Sequence, residues 1–223
     1  MDNNQKKALY EASKITTGTG IISYANLWEP RADGDDKTPK YSTSFLIPKS
    51  DVNTLKKISN AIEAAARLGE ATKWNGKRPT PLTHPLRNGD DVADEKGEIY
   101  RGCYFVNAKS VRKPEIVNFQ GQHITDRDQV YSGCVCRLSL NFYPFEHKGN
   151  KGVACGLGNV QKIEDGEPLG TARSSAKDDF ADVSDLDLPF DEPATPAVTS
   201  NPAAAAPTGE DILSKIGFGN SAA

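Results

Sequence analysis

Arg101, Phe105, Asn107 and Lys109 stand at odd positions of one short run, RGCYFVNAKSVRKPEIV (residues 101–117). Arg137, Asn141 and Tyr143 stand at odd positions of another, GCVCRLSLNFYPF (residues 133–145). Both runs are too rich in β-branched and aromatic residues, and the first too broken by proline, for a stable helix; they read as strands. On a strand, alternate side chains share a face at a spacing of roughly 6.5–7 Å. Guanidinium and ammonium groups in such a row meet phosphates, rings stack on bases, and carboxamides hydrogen-bond. The pattern therefore suits an extended nucleic-acid strand, and Arg112 and Lys113 add charge just beyond the first run. Half-solvated sheets also carry polar outer faces with no ligand, so a merely solvated face stands as the alternative. Two strands sharing the pattern bring the nucleic-acid reading level with that alternative.

The other face of the second run is Cys134, Cys136, Leu138, Leu140 and Phe142, an unbroken apolar series that must face a core. The first run repeats this less cleanly. Tyr100, Tyr104, Val106 and Ala108 take its core side, and Cys103 falls among the basic residues. Alternating glycines in KGVACGLGNV mark bulges or close backbone approach rather than a phosphate-cradling loop.

Chemistry of other kinds finds little support. Cys134 and Cys136 are two apart rather than at CxxC spacing, and His84, His123 and His147 are scattered, so neither a metal nor another cofactor is expected. Asp90, Asp91, Asp94 and Glu95 form an acidic cluster that reads as a solvated turn, with a metal-dependent nuclease as a minor alternative. No GxxxxGK[ST] loop or GxSxG elbow is present. No catalytic residues are assigned, and the chain is not expected to be an enzyme.

The elements that position these residues are mostly strands. KITTGTGIISYANLW and KYSTSFLIP read as strands joined by a turn-rich loop, EPRADGDDKTP. SDVNTLKKISNAIEAAARLG reads as the one amphipathic helix, capped by Ser50 or Asp51, closed by Gly69, and apolar along Leu55, Ile58, Ile62 and Ala65 or Ala66. Residues 70–98 form a long polar loop, and strands follow at 99–109, 133–145 and 151–163.

The formal charge of −3 is divided unevenly. Residues 178–223 hold nine acidic side chains and one lysine, leaving the other 177 residues at +5. From about Pro189 the chain is Pro, Ala, Thr and Ser with few large apolar residues, a composition that does not offset the entropy of ordering. Three parts are expected: an extension at 1–13, a β-rich domain at 14–177, and a disordered acidic tail at 178–223. No run of 18 apolar residues and no apolar leader is present, so the expected location is the cytoplasm, away from membranes.

In their order, SYANLWEP, KYSTSFLIPKSD, PLRNGD, RGCYFVNAKSVRKPEIV, VYSGCVCRLSLNFYPF and NKGVACGLGNVQKIEDGEPLG resemble the phage-type single-stranded-DNA-binding protein family over roughly residues 14–181. The resemblance implies an oligonucleotide-binding (OB) antiparallel β-barrel that coats single-stranded DNA in phage replication or recombination. It does not hand over contact residues; those remain Arg101, Phe105, Asn107, Lys109, Arg112, Lys113, Arg137, Asn141 and Tyr143. DLDLPF is similar to the acidic, Pro-Phe-ending tips with which bacterial single-stranded-DNA-binding proteins recruit partners. Asp185, Asp187, Leu188, Pro189 and Phe190 are thus the expected contacts for phage or host replication and recombination proteins, although here the motif is internal. A homo-oligomer stays open, and a β-barrel scaffold without nucleic-acid binding is the rival reading.

Overall fold

β7 (Val135–His147) is paired along both edges, and the rest of the sheet is arranged around it. The computed structural model describes residues 1–33 and 36–170. Along one edge β7 pairs antiparallel with β8 (Asn150–Glu164), from His147↔Asn150 to Val135↔Glu164. Along the other it meets β1 (Lys14–Thr16) at Lys14↔Asn141 and the start of β2 (Gly20–Asp33) at Gly20↔Cys136. Buried Thr17 bridges the two: its N–H donates to Leu138 O at 3.0 Å and its Oγ1 accepts from Leu138 N–H at 3.0 Å.

From β2 the pairing passes to β3 (Asp36–Pro48), then to β5 (Cys103–Ser110), and from β5 in parallel to β8. The path β7–β2–β3–β5–β8–β7 thus returns to its start. β4 (Leu86–Asn88) adds to β5, and β6 (Ile116–Val117) to β8. The chain is mainly β, with few helices.

The inward face follows the alternation of the sequence: Cys134, Cys136, Leu138, Leu140 and Phe142 are all buried, with Val106 and Ala108 of β5. α2 (Val52–Thr72) packs on β7 through Ile58, Ala61, Ile62, Ala65 and Ala66. Its N-cap is Asp51, whose side chain accepts Thr54 N–H at 3.0 Å. The helix runs past Gly69 to Thr72. Gly69 is there for proximity rather than termination, since a Cβ would sit 2.7 Å from the Trp74 ring.

Other sequence expectations need correction. The helix at 52–72 is not alone: α1 (Asn3–Ala12) precedes β1, held by a capping box between Asp2 and Gln5, and α3 (Ala93–Lys96) lies in the stretch expected to be loop. EPRADGDDKTP is not a wide loop, because β2 continues to Asp33 and β3 restarts at Asp36 as a long hairpin. Phe105 is the chief correction. Its ring is 0% exposed, packed edge-on against Tyr100 at 5.2 Å in a second cluster with Leu46 and Ala93. The residue does lie on the outer face, but residues 92–100 fold across that end of the sheet and cover it. Among the described residues no helix is long and apolar enough to cross a membrane.

The covering segment is held by carboxylates. Asp90 accepts Gly102 N–H at 2.7 Å and pairs with Lys49, Asp91 accepts from Asn88 Nδ2 at 2.9 Å, and Asp94 binds Arg101 at 3.0 Å. Three acids of the cluster seen in the sequence, Asp90, Asp91 and Asp94, are thus fasteners.

Phe105→Ala should cost about 3–5 kcal/mol, as for a fully buried ring, read from urea unfolding; a loss below about 1 kcal/mol would place the ring outside the core. A second expectation concerns pH. Lys49, with the Gly102 amide, holds the Asp90 carboxyl below the usual carboxylate range. A carboxyl depressed on folding stabilises at pH above its unfolded value, and that contribution is lost as pH falls through the folded one. Asp90→Asn should therefore speed hydrogen exchange in residues 89–103 at neutral pH, with the difference from wild type shrinking below about pH 4. Equal exchange at pH 7 would refute the fastening role.

Candidate nucleic-acid interface

The outer face of the β3–β5 ladder changes character along its length. Leu46↔Phe105 is apolar and covered, and the next outward pairs, Ser44↔Asn107 and Ser42↔Lys109, are polar and open. Ser44 Oγ lies 2.6 Å from Asn107 Oδ1 and fixes that carboxamide, into which the hydroxyl donates. At this transition three hollows of about 350, 800 and 370 Å³ adjoin. The first and second share Asn107 and Lys109; the second and third share Asn141 and Gly158.

Together they form one groove lined by six basic side chains, Arg31, Lys96, Lys109, Lys40, Arg87 and Lys14. Low-dielectric walls of one sign concentrate the field and favour a polyanion. Lys14 also binds Glu11 at 3.2 Å at the rim. The floor lies low because the outward positions of β8 are Ala154, Gly156 and Gly158, which carry little or no side chain. Between Leu138↔Val160 and Leu140↔Leu157 β8 has one residue more than β7, a bulge at the glycine the sequence flagged. A Cβ on Gly158 would lie 2.2 Å from Ser139 Oγ.

Two tyrosines stand in this groove. Tyr143 is 42% exposed on β7. Burial pushes its phenol up against the opposing charge of Lys40, so the ring stays neutral at physiological pH and adds no negative charge. Tyr24 is 53% exposed at φ +49°, an uncommon backbone state for a residue with a side chain, at an irregularity of β2 between Ser23 and Asn26. Thr43 Oγ1 donates to Ser23 O at 3.1 Å, Ser132 Oγ accepts Ala25 N–H at 2.9 Å, and Asn26 Nδ2 donates to Ser42 Oγ at 3.2 Å. These bonds hold the twist that turns Tyr24 outward, with Lys96 Nζ 5.4 Å from its ring centre. Asn141 Oδ1, in the floor, is a buried acceptor with no partner among the described residues.

Of the residues expected from sequence, Asn107, Lys109, Asn141 and Tyr143 come together here. The others lie elsewhere. Phe105 is covered, and of the groove's side chains Arg87 has its guanidinium 5.6 Å from the ring centre. Arg101 is held by Glu98 at 2.6 Å and by Asp94, outside the groove lining. Arg112 is exposed beyond the end of β5. Lys113 lines a separate hollow of about 450 Å³ beside Trp28. Arg137 is half-buried, its Nε donating to Thr17 O at 3.1 Å. Asp185, Asp187, Leu188, Pro189 and Phe190 lie outside the described residues. Sequence reasoning missed Lys14, Tyr24, Arg31, Lys40, Arg87 and Lys96. Alternation within KYSTSF does put Lys40 in line with Ser42 and Ser44, whereas Tyr24 depends on a bulge that leaves no periodic trace.

A family model described as the ssDNA-binding protein of Enterobacter phage Enc34 matches residues 13–188. The chain is 27% identical over 181 residues to a putative protein, p50, of Acyrthosiphon pisum secondary endosymbiont phage 1, covering 77% of this chain and 94% of that one. It is similar to the solved structure of the single-stranded DNA-binding protein from bacteriophage Enc34 in complex with ssDNA, at 26% identity and TM-score 0.62, over 73% of this chain and 92% of that one. The single-stranded DNA binding protein gp2.5 of bacteriophage T7 matches at 16% identity and TM-score 0.50, over 82% and 98%, a likeness of fold alone.

Proposed function

Because the chain belongs to the family of the Enterobacter phage Enc34 ssDNA-binding protein, we propose that it binds single-stranded DNA, largely without regard to sequence, along the groove from Tyr24 to Lys14. The observation that carries this reading is the lining: six cations and two exposed tyrosines on adjoining hollows that share residues. Backbone phosphates meet Arg31, Lys96, Lys109, Lys40, Arg87 and Lys14, releasing counterions, and bases stack on Tyr24 and Tyr143. Neither interaction reads base identity. Asn107 and Asn141 supply hydrogen-bonding groups that any base edge can use. The protein acts by binding, with no chemical step.

The sheet is read as an OB-type barrel, supported by the pairing path that returns to β7 and by the parallel β5–β8 contact. On this reading the protein coats and protects single strands during phage replication or recombination in the host cytoplasm. The acidic segment 178–223 has two proposed roles: recruiting replication or recombination proteins through Asp185, Asp187, Leu188, Pro189 and Phe190, and competing with DNA for the basic body.

Tyr24→Ala and Tyr143→Ala should each weaken binding of an oligo-dT by about 1–3 kcal/mol with the fold intact, and Lys109→Ala should lower the slope of log K against log salt by about 0.7. Fluorescence anisotropy at several salt concentrations measures both. Full affinity in both tyrosine variants would remove the groove as the binding surface. Deleting residues 178–223 should raise affinity most at low ionic strength, where an internal polyanion competes best. An unchanged low-salt affinity would leave the segment with recruitment alone.

A further inference from the structure

The groove ends at Ser139 and Gly158, yet the row of side chains flooring it continues. On the outer face of the β7–β8 ladder the pairs run Tyr143↔Ala154, Asn141↔Gly156 and, past the extra residue of β8, Arg137↔Gln161. From Tyr143 to Arg137 this row covers about 20 Å at roughly 6.5–7 Å per outward residue. Arg137 Nη1 lies 3.5 Å from Gln161 Oε1, and Gln161 Nε2 donates to Phe119 O at 3.3 Å and Asn118 O at 3.4 Å. The row therefore runs into the hairpin Ile116–Ile124.

That hairpin is tightly held. Asn118 N–H donates to Gln122 O at 2.8 Å, Ile124 N–H to Ile116 O at 2.9 Å, and Asn118 Oδ1 accepts the Gln120 and Gln122 amides at 2.9 and 3.0 Å. At its tip Phe119 is 65% exposed, more than any other large hydrophobic side chain among the described residues. A ring fixed in water gains no burial from its own fold, and its neighbours, Asn118, Gln120 and Gln122, are uncharged amides. Of the other exposed large apolar residues, Tyr24, Val111 and Tyr143 line the groove.

We propose that Phe119 is a third stacking platform, taking a base of the single strand after it leaves the groove past Gly158 and runs along Arg137. The inference rests on the single-stranded-DNA reading and extends its track by the length of the Arg137–Gln161 step and the hairpin. A rigid tip suits the task, since little side-chain or loop ordering remains to be done on binding.

The test uses the full chain and oligo-dT of 30 nucleotides. Phe119→Ala should lower affinity about 5- to 150-fold, the equivalent of one base–aromatic stack, while the salt slope stays at the wild-type value because no phosphate contact is lost. Phe119→Trp should keep the affinity, and its added indole emission, above that of Trp28 and Trp74, should be quenched by the oligonucleotide. Unchanged affinity in Phe119→Ala with no added quenching in Phe119→Trp would overturn the proposal. So would lost self-association in Phe119→Ala with DNA affinity intact, which would make the ring a protein contact. Absence of binding by the wild-type chain removes the single-stranded-DNA reading as well, so the two failures are told apart.

Discussion

A strand whose two edges are both paired is the constraint on which this molecule depends. β7 gives one edge to β8 over its whole length and divides the other between β1 and β2, with Thr17 carrying the ladder across the gap. Because both edges are satisfied, the inward face of β7 can be wholly apolar without leaving backbone groups unpaired in the core. Its outward face is then fixed to within one residue, since a slip by one would exchange Leu138 and Phe142 for Arg137 and Tyr143. The floor of the groove is a direct result of that register.

The groove also needs an end, and apolar packing supplies it. Leu46 and Phe105 point to the same side of the sheet as Ser44 and Asn107, and the segment from Asp90 to Gly102 closes over the first pair and leaves the second bare. The acids that hold this cover, Asp90 and Asp94, bind Lys49 and Arg101. Lys49 and Arg101, bound to these carboxylates, thus lie at the covered end, and Arg31, Lys96, Lys109, Lys40 and Arg87 line the open end. On the proposed reading, phosphate is favoured by the placing of charge along one face rather than by net charge.

Much of this was legible in the residues. The even positions of GCVCRLSLNFYPF gave the core face of β7, and the Asp51 cap with its apolar stripe gave α2. Asn107, Lys109, Asn141 and Tyr143 followed from the same alternation. Phe105 did not, because period two tells which side a residue takes and not whether a later segment covers it. Tyr24 was hidden by its positive φ. α1 was hidden because none of its residues is buried, so its helix is set by Asp2 and Gln5 rather than by an apolar stripe. Pro30 and Pro39 suggested a loop, yet both sit in a β2–β3 hairpin whose irregular register tolerates residues without an N–H.

The contact between Thr17 and Leu138 spans 121 residues of chain. During synthesis at about 5–20 residues per second, the first strand must wait roughly 6–24 s for its partner to leave the ribosome. Until then β2 lacks its β7 partner, and any sheet of β2, β3 and β5 has a bare edge, a geometry prone to pairing with another chain. The charged β2–β3 hairpin is a poor template for such pairing. The apolar inward face of β7 thus emerges only after β2, β3 and β5 have been made.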